Sequence, residues 1–470
     1  MRRPNILILY TDQQRWDALG ANGNGDIRTP HLDRLACDGV NFDRYFVQNP
    51  VCMPSRLSFL TGQYPGTLGI THMGVPVPAD TVTLPRILGN YGYTSANIGK
   101  LHFLPHANRD HRDIHPDYGF DHLEISDEPG SYEDAYRAWV VRVAPDQLDH
   151  ISLGEAPAAI DWKQTMGIDD GIVHPRERFP KRALAFPGSS DVTHSAFVAD
   201  QTMEFISRSS HSQPFLCISG FYPPHSPWIA PQEFLDLYDP AQLALPPPFP
   251  PEFEARRRKG GAFSDAELRQ AHHGYYAMVS EVDHHVGRIL AHLDQLQLAD
   301  DTIVVFTSDH GEWLGEHLKY GKGYPGHDCV TRVPLIFRWP GSVADPGRTV
   351  HDITEAVDVL PTLLSCIGVQ PLPHLQGRSL VGVALEGEHH RGQGSAITEM
   401  DGWKTLRTDR FRYVVESDGN EMLFDLTEDP AAYADVSADA SYTTALGEAR
   451  RELLCRLLER ERPLPRAWPY

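Results

Sequence analysis

Asn49-Pro50-Val51-Cys52-Met53-Pro54-Ser55-Arg56-Leu57-Ser58-Phe59-Leu60-Thr61-Gly62 decides how the rest of this 470-residue chain is read. The run Ser55-Arg56-Leu57-Ser58-Phe59-Leu60 reads as a helix that begins just after Cys52. A group at that point faces the free N–H groups and the positive dipole end of the helix, a setting that favours anions. A lone cysteine is most often a small buried hydrophobe. That would account for any one of Cys37, Cys217, Cys329, Cys366 and Cys455. It does not account for Pro54 and Arg56 at fixed offsets from Cys52.

Outward from this stretch, short apolar runs alternate with longer amphipathic ones. Asn5-Ile6-Leu7-Ile8-Leu9-Tyr10 is a continuous apolar run, as in a strand buried on both faces. Thr94–Ile98, Pro214–Ser219, Thr302–Thr307 and Val333–Trp339 repeat it, and Leu84–Tyr91, Ser195–Ser207 and Ala271–Leu296 between them have helical spacing. The alternation predicts an α/β fold with a mainly parallel central sheet flanked by helices. The strands end on ionisable residues: Asp12, then Lys100 and His102, then His225, then Asp309-His310. Ligands of open α/β sheets sit beyond the carboxyl ends of the strands, so one shared polar site is expected there.

Residues 104–190 are less regular and rich in His, Asp and Pro, which suits a lid or a substrate-facing insertion. Leu245-Pro246-Pro247-Pro248-Phe249-Pro250-Pro251 reads as a rigid connector. Beyond residue 367 the pattern changes. Trp403–Glu416 and Glu421–Leu426 read as antiparallel strands about a turn at Ser417-Asp418-Gly419-Asn420, with a helix over Thr443–Glu461. The chain is thus divided into a catalytic domain, 1–367, and a smaller C-terminal α+β subdomain, 368–470.

A net charge of −21 argues against nucleic acid as a partner. No apolar run reaches membrane-spanning length, so no membrane partner is expected. Met1-Arg2-Arg3-Pro4 runs into a strand without a signal-peptide pattern, and the six cysteines lack CxxC or metal-knuckle spacing. A reduced, cytoplasmic location is the expectation, and the sequence leaves homo-oligomer formation open.

The Cys-x-Pro-x-Arg core at Cys52, with its Ser-Arg-Leu-Ser-Phe-Leu-Thr-Gly flank, resembles the sulfatase family, a branch of the alkaline-phosphatase superfamily. The resemblance implies an alkaline-phosphatase-like fold and a Cys52 converted to formylglycine by a maturation enzyme. One hydroxyl of the hydrated aldehyde would displace the alcohol from sulfur, and the second would let the hemisulfate collapse. Arg56 matches the arginine that steadies the charged nucleophile. Leu9-Tyr10-Thr11-Asp12-Gln13 and Thr307-Ser308-Asp309-His310-Gly311-Glu312 match segments that bind a divalent cation. Asp12, Asp309, His310 and the modified residue 52 are then the expected metal ligands. Carboxylates suit Ca²⁺, the first choice, or Mg²⁺, and an imidazole moves the preference toward Mn²⁺. Many sulfatases carry Asp-Asp where this chain has Asp12-Gln13, and whether Gln13 is a ligand stays open. Gly99-Lys100-Leu101-His102-Phe103 resembles the segment whose Lys and His contact sulfate, and Lys322 in Tyr320-Gly321-Lys322-Gly323 resembles the second lysine. His225, in Phe221-Tyr222-Pro223-Pro224-His225-Ser226-Pro227-Trp228, matches the histidine that protonates the leaving alcohol. His72, His106, His111 and His327 are further candidates for the pocket lining.

The expected substrate is an organic sulfate monoester. Phosphonate monoester and phosphodiester hydrolases of the same superfamily share the nucleophile and the Asp-Gln and Asp-His pattern. They lack the Lys and His of Gly99-Lys100-Leu101-His102, which puts sulfate first. Two further readings are an enzyme whose unmodified Cys52 thiol acts with a histidine and a non-catalytic anion binder on the same fold. The latter requires the loss of a site residue, and all are retained.

Overall fold

Asn5–Thr11 forms a strand whose residues are all buried, and the reason lies in the period-two pattern of its side chains. Ile6, Ile8 and Tyr10 pack with Leu57, Leu60 and Leu363 on one face. Leu7 and Leu9 pack with Phe197, Val286 and Ile289 on the other. Both faces are dry, so the strand reads as an unbroken apolar run. In the computed structural model, which describes residues 3–107, 111, 113–169, 171–175, 177, 180–209, 213–259, 263–387 and 394–461, this strand lies inside a nine-stranded sheet.

Phe215–Gly220 and Thr302–Ser308 flank it, both parallel to it. Thr94–Gly99 and then His122–Ile125 extend the sheet on one side, again parallel. On the other side Arg332–Arg338 runs antiparallel to Thr302–Ser308, and Val40–Phe46 runs antiparallel to Arg332–Arg338. Arg348–Val350 and Thr354–Glu355 pair in parallel with Val40–Phe46. The sheet is therefore mainly parallel, as its sequence pattern implies.

Three elements depart from the sequence reading. Val40–Phe46 was not anticipated, because Asp43 and Arg44 interrupt its apolar run; the pairing is irregular between Phe42 and Tyr45, where those two residues sit. The helix expected over Ala271–Leu296 begins earlier, at Asp265. Its polar first turn is stabilised by a capping box between Ser264 and Glu267. Residues 104–190 are not wholly irregular, since helices form over Ala135–Val143 and Pro157–Met166.

In the C-terminal part, Trp403–Glu416 is not one strand but two, Trp403–Thr408 and Phe411–Glu416, antiparallel about Asp409-Arg410. Ser395–Met400 and Glu421–Asp425 complete a four-stranded sheet. The helix Thr443–Arg460 lays Leu446, Ala449 and Leu453 against this sheet and against Tyr64 and Val357 of the preceding domain. Buried Arg456 clasps the two parts. It donates to Glu355 Oε2 at 2.6 Å, to the Tyr64 hydroxyl at 2.9 Å and to Ser395 O at 2.5 Å. Arg456→Ala strands the Glu355 carboxylate without its cation, and unfolding free energy is expected to fall by about 3 kcal/mol. An unchanged denaturant midpoint would refute this clasp. Among the described residues no helix is long and apolar enough to cross a membrane.

Candidate active site

Register brings the ends of the strands level. Thr11 pairs with Ser308, and Gly99 pairs with Gly220. Asp12, Asp309-His310 and Lys100 therefore leave the sheet side by side, with His225 following Gly220 by a short loop. The strand end at Gly99 requires glycine. Its φ is +88°, and a Cβ there would lie 2.2 Å from Gly220 O. This close approach lets the Lys100 N–H donate to Gly220 O at 2.8 Å.

Cys52 is the first residue of a helix over Cys52–Thr61, preceded by Val51 in extended conformation, and all ten helical residues are buried. Its Sγ stands where the oxygen atoms of an oxidised side chain would be. Sγ lies 2.7 Å from Lys322 Nζ, 3.2 Å from His310 Nε2 and 3.9 Å from Asp12 Oδ1. Arg56, one helical turn on, donates from Nε to Asp309 Oδ2 at 2.7 Å and contacts Asp12 Oδ2 at 3.3 Å. Lys100 Nζ meets the same Asp12 oxygen at 2.8 Å and lies 4.8 Å from the centre of the Tyr222 ring. Lys322 Nζ is 3.2 Å from His310 Nε2 and 3.3 Å from His225 Nε2.

The charges of this cluster are held in place by one another. Burial pushes the Asp12 carboxyl up, but Lys100, His225, Lys322 and Arg56 outweigh it and hold the group well below its ordinary value. Burial opposes the charge on Lys100, yet Asp12 raises it, and Lys322 is raised against its burial by Cys52 and Asp12. Burial and Asp12 push the Cys52 thiol up to about 11, with Lys322 and Lys100 pulling the other way. An unmodified thiol in this setting is therefore protonated at neutral pH and a poor nucleophile. Burial brings His310 down to about 4, leaving a neutral imidazole whose Nδ1 donates to Gly311 O at 2.9 Å. Its Nε2 is then the lone pair turned to Cys52.

Asp12, Cys52, Asp309 and His310 each offer a donor atom, and these atoms lie within 4.8 Å of one another, all buried. Two carboxylates and a neutral imidazole are a donor set that fits a divalent cation of the Ca²⁺, Mg²⁺ or Mn²⁺ kind. Gln13 adds a buried Oε1 that accepts no hydrogen bond among the described residues. Gln13 also holds φ at +68°, while its N–H donates to Asp309 Oδ1 at 3.0 Å.

The structure thus gathers Asp12, Cys52, Arg56, Lys100, His225, Asp309, His310 and Lys322. His102 joins by another route. It is buried with φ at +56°, and its N–H and that of Leu101 both donate to Asp127 Oδ1, at 2.8 and 2.9 Å. His106 and His111 stack beyond it, with ring centres 4.9 and 5.2 Å apart in succession. His327 lies elsewhere, against Trp313 and Phe424, and His72 is exposed. Three residues were missed in the sequence. Asp127 and Glu128 follow the strand His122–Ile125, which is half-buried and lacks an apolar run. Glu128 lies close enough to Lys100 and Asp12 for its carboxyl to feel their charge. Glu312 was visible two residues after His310, but nothing in the pattern assigned it a partner.

Comparison with known proteins adds the wider context. The family profile described as Sulfatase matches residues 4–369, and one described as N-sulphoglucosamine sulphohydrolase, C-terminal, matches residues 315–459. An arylsulfatase of Clostridium perfringens is 28% identical over 98% of this chain and 95% of its own length. Human iduronate 2-sulfatase is 30% identical over 78% of this chain and 70% of its own. The crystal structure of a phosphonate monoester hydrolase of Agrobacterium radiobacter superposes with a TM-score of 0.82 at 26% identity, covering 97% of this chain and 96% of that one.

Proposed function

The chain belongs to the sulfatase family, and from that premise we propose that it hydrolyses an organic sulfate monoester with formylglycine at position 52 and a divalent cation beside it. Sulfate ester hydrolysis is the reaction of the chain. The observation that carries the finer reading is Cys52 Sγ, at a helix N-terminus and within 4.8 Å of the donor atoms of Asp12, Asp309 and His310. Asp12, Asp309, His310 and the oxidised residue 52 would hold the cation, Ca²⁺ first, which would lower the pKa of the nucleophilic hydroxyl and neutralise a sulfate oxygen. Oxidised and hydrated, residue 52 supplies two hydroxyls, one to displace the alcohol and one to expel sulfate.

The other roles fall to side chains already in place. Lys100, which is buried, and Lys322, which is half-buried, grip the anionic oxygens, so each charge acts at short range. Arg56 pairs with both Asp12 and Asp309, which sets one buried cation against two buried carboxylates. His225 Nδ1 donates to Ser226 O at 2.7 Å, which fixes the ring and turns Nε2 to the site, where it hands a proton to the leaving oxygen. His102 would be the second imidazole to contact the anion, as the likeness of Gly99-Lys100-Leu101-His102-Phe103 to the sulfate-contacting segment implies.

The cation requirement has a direct check. Dialysis against a chelator should lower kcat by at least about 100-fold, with recovery on adding Ca²⁺ or Mn²⁺. Retained activity in the stripped protein sinks the metal reading. Peptide mass at residue 52, after co-expression with a maturation enzyme, tests the aldehyde. Full activity in protein that carries only thiol sinks that part. The likeness to the Agrobacterium hydrolase, together with His310 and Gln13, supports phosphonate monoesters as a second reading. Parallel assays with aryl sulfate, phosphonate and phosphodiester esters decide between them, and a higher kcat/KM on phosphonate would put that ester ahead of sulfate.

A further inference from the structure

Glu312 is fully buried, and its carboxylate accepts three hydrogen bonds, all from N–H groups. Oε1 takes the backbone N–H of Leu314 at 3.1 Å and that of Gly321. Oε2 takes the side-chain amide Nε2 of Gln13. The first two bonds pin the carboxylate at the neck of a loop, which Trp313 N also closes by donating to Gly321 O at 2.9 Å. The third uses the pinned group to orient a side chain of the neighbouring strand end.

The edge of the Gln13 amide that faces Glu312 is the nitrogen, which donates to Oε2. The carbonyl Oε1 is thereby turned away from Glu312. It is buried, in a residue 1% exposed, and accepts no hydrogen bond among the described residues. A buried carbonyl left without a partner is unfavourable, because it has lost its water and gained nothing in return. Its chain neighbour is Asp12, and its own N–H is tied to Asp309 Oδ1 at 3.0 Å; both of these carboxylates belong to the donor set. A dication held there supplies the missing partner.

We propose that Glu312 is a positioning residue that fixes the Gln13 amide with its oxygen toward the cation, so that a neutral side chain contributes to the donor set. This rests on the divalent cation inferred above. Aspartate at position 13 would present an oxygen in either orientation, whereas glutamine presents one only if its nitrogen is engaged elsewhere. Glu312 is that engagement.

The test is metal affinity, read by competition with a chelating dye on stripped protein. Glu312→Gln keeps an oxygen for Leu314 and Gly321 but sets an NH₂ group against Gln13, whose amide must flip and turn its nitrogen inward. The dissociation constant for Ca²⁺ or Mn²⁺ should rise about 10- to 100-fold. The double variant Gln13→Glu with Glu312→Gln reverses the hydrogen bond and returns an oxygen to the cation, so affinity should recover to the parent value or better. Unchanged affinity in Glu312→Gln overturns the proposal, as does a double variant no better than that single one. If Glu312→Gln fails to fold by circular dichroism, Gln13→Leu decides. It removes the oxygen and leaves both backbone bonds to Glu312, and parent-like affinity there overturns the proposal. Should the parent itself bind no dication, the reading of the site falls instead, a separately visible result.

Discussion

Cys52→Ala is expected to lower kcat by roughly 10⁴-fold or more while leaving the unfolding midpoint near that of the parent. The size follows from what is removed. Lys100 and Lys322 would still bind the anion, but no atom of residue 52 remains to attack sulfur. The stability claim follows from size: the Cys52 side chain is small, and its Sγ makes polar contacts to Lys322 and His310 rather than filling the apolar core. Cys52→Ser separates the proposed mechanism from a simpler one. Serine has one hydroxyl and no route by which a second can expel sulfate. It should react once and stop, leaving a sulfated serine detectable by intact mass, with steady turnover at least about 100-fold below the parent. Steady turnover near the parent rate would mean that a single hydroxyl suffices, and the aldehyde would have no role.

Much of this arrangement was legible before the fold was known, and the reason is physical. Strands buried on both faces leave continuous apolar runs, so Asn5–Thr11, Phe215–Gly220 and Thr302–Ser308 announce themselves, and the ionisable residue that ends each run marks the sheet edge. Asp12, Lys100, His225 and the Asp309-His310 pair could be placed together on that basis. Elements with only one dry face, or with charges inside them, gave no such signal. Val40–Phe46 holds Asp43 and Arg44, and His122–Ile125 is half-buried throughout, so Asp127 and Glu128 beyond it stayed out of sight. Trp403–Glu416 looked continuous because Arg410 and Asp409 carry no glycine or proline to mark the turn between its two strands. Glu312 was hidden for another reason. Its role lies in who donates to it, and Gln13, Leu314 and Gly321 are brought to one carboxylate only by the packed strands and the closed loop.

His225→Ala should divide esters by their leaving groups. For an alkyl sulfate the departing alkoxide is a strong base, and losing its proton donor is expected to cost about 10²- to 10⁴-fold in kcat/KM. For an activated nitrophenyl sulfate the anion leaves unaided, and the loss should stay within about tenfold, since the remaining contacts of the site are intact. Electrostatics sets the conditions of the role. Burial, followed by the charge on Lys322, holds His225 well below its ordinary value in the resting site, with Asp12 opposing. The resting ring is therefore neutral, with Nδ1 given to Ser226 O and Nε2 accepting from the Lys322 ammonium at 3.3 Å. A sulfate anion entering between the two reverses part of that balance, because its charge favours a proton on Nε2 where Lys322 alone disfavoured it. The acid is thus armed by its substrate. The kcat profile for alkyl esters, which reports the substrate complex, should accordingly fall with rising pH in the parent, and His225→Ala should flatten that fall. Equal losses on both esters, with the profile unchanged, would move the proton to Lys322, whose ammonium lies 3.3 Å from His225 Nε2.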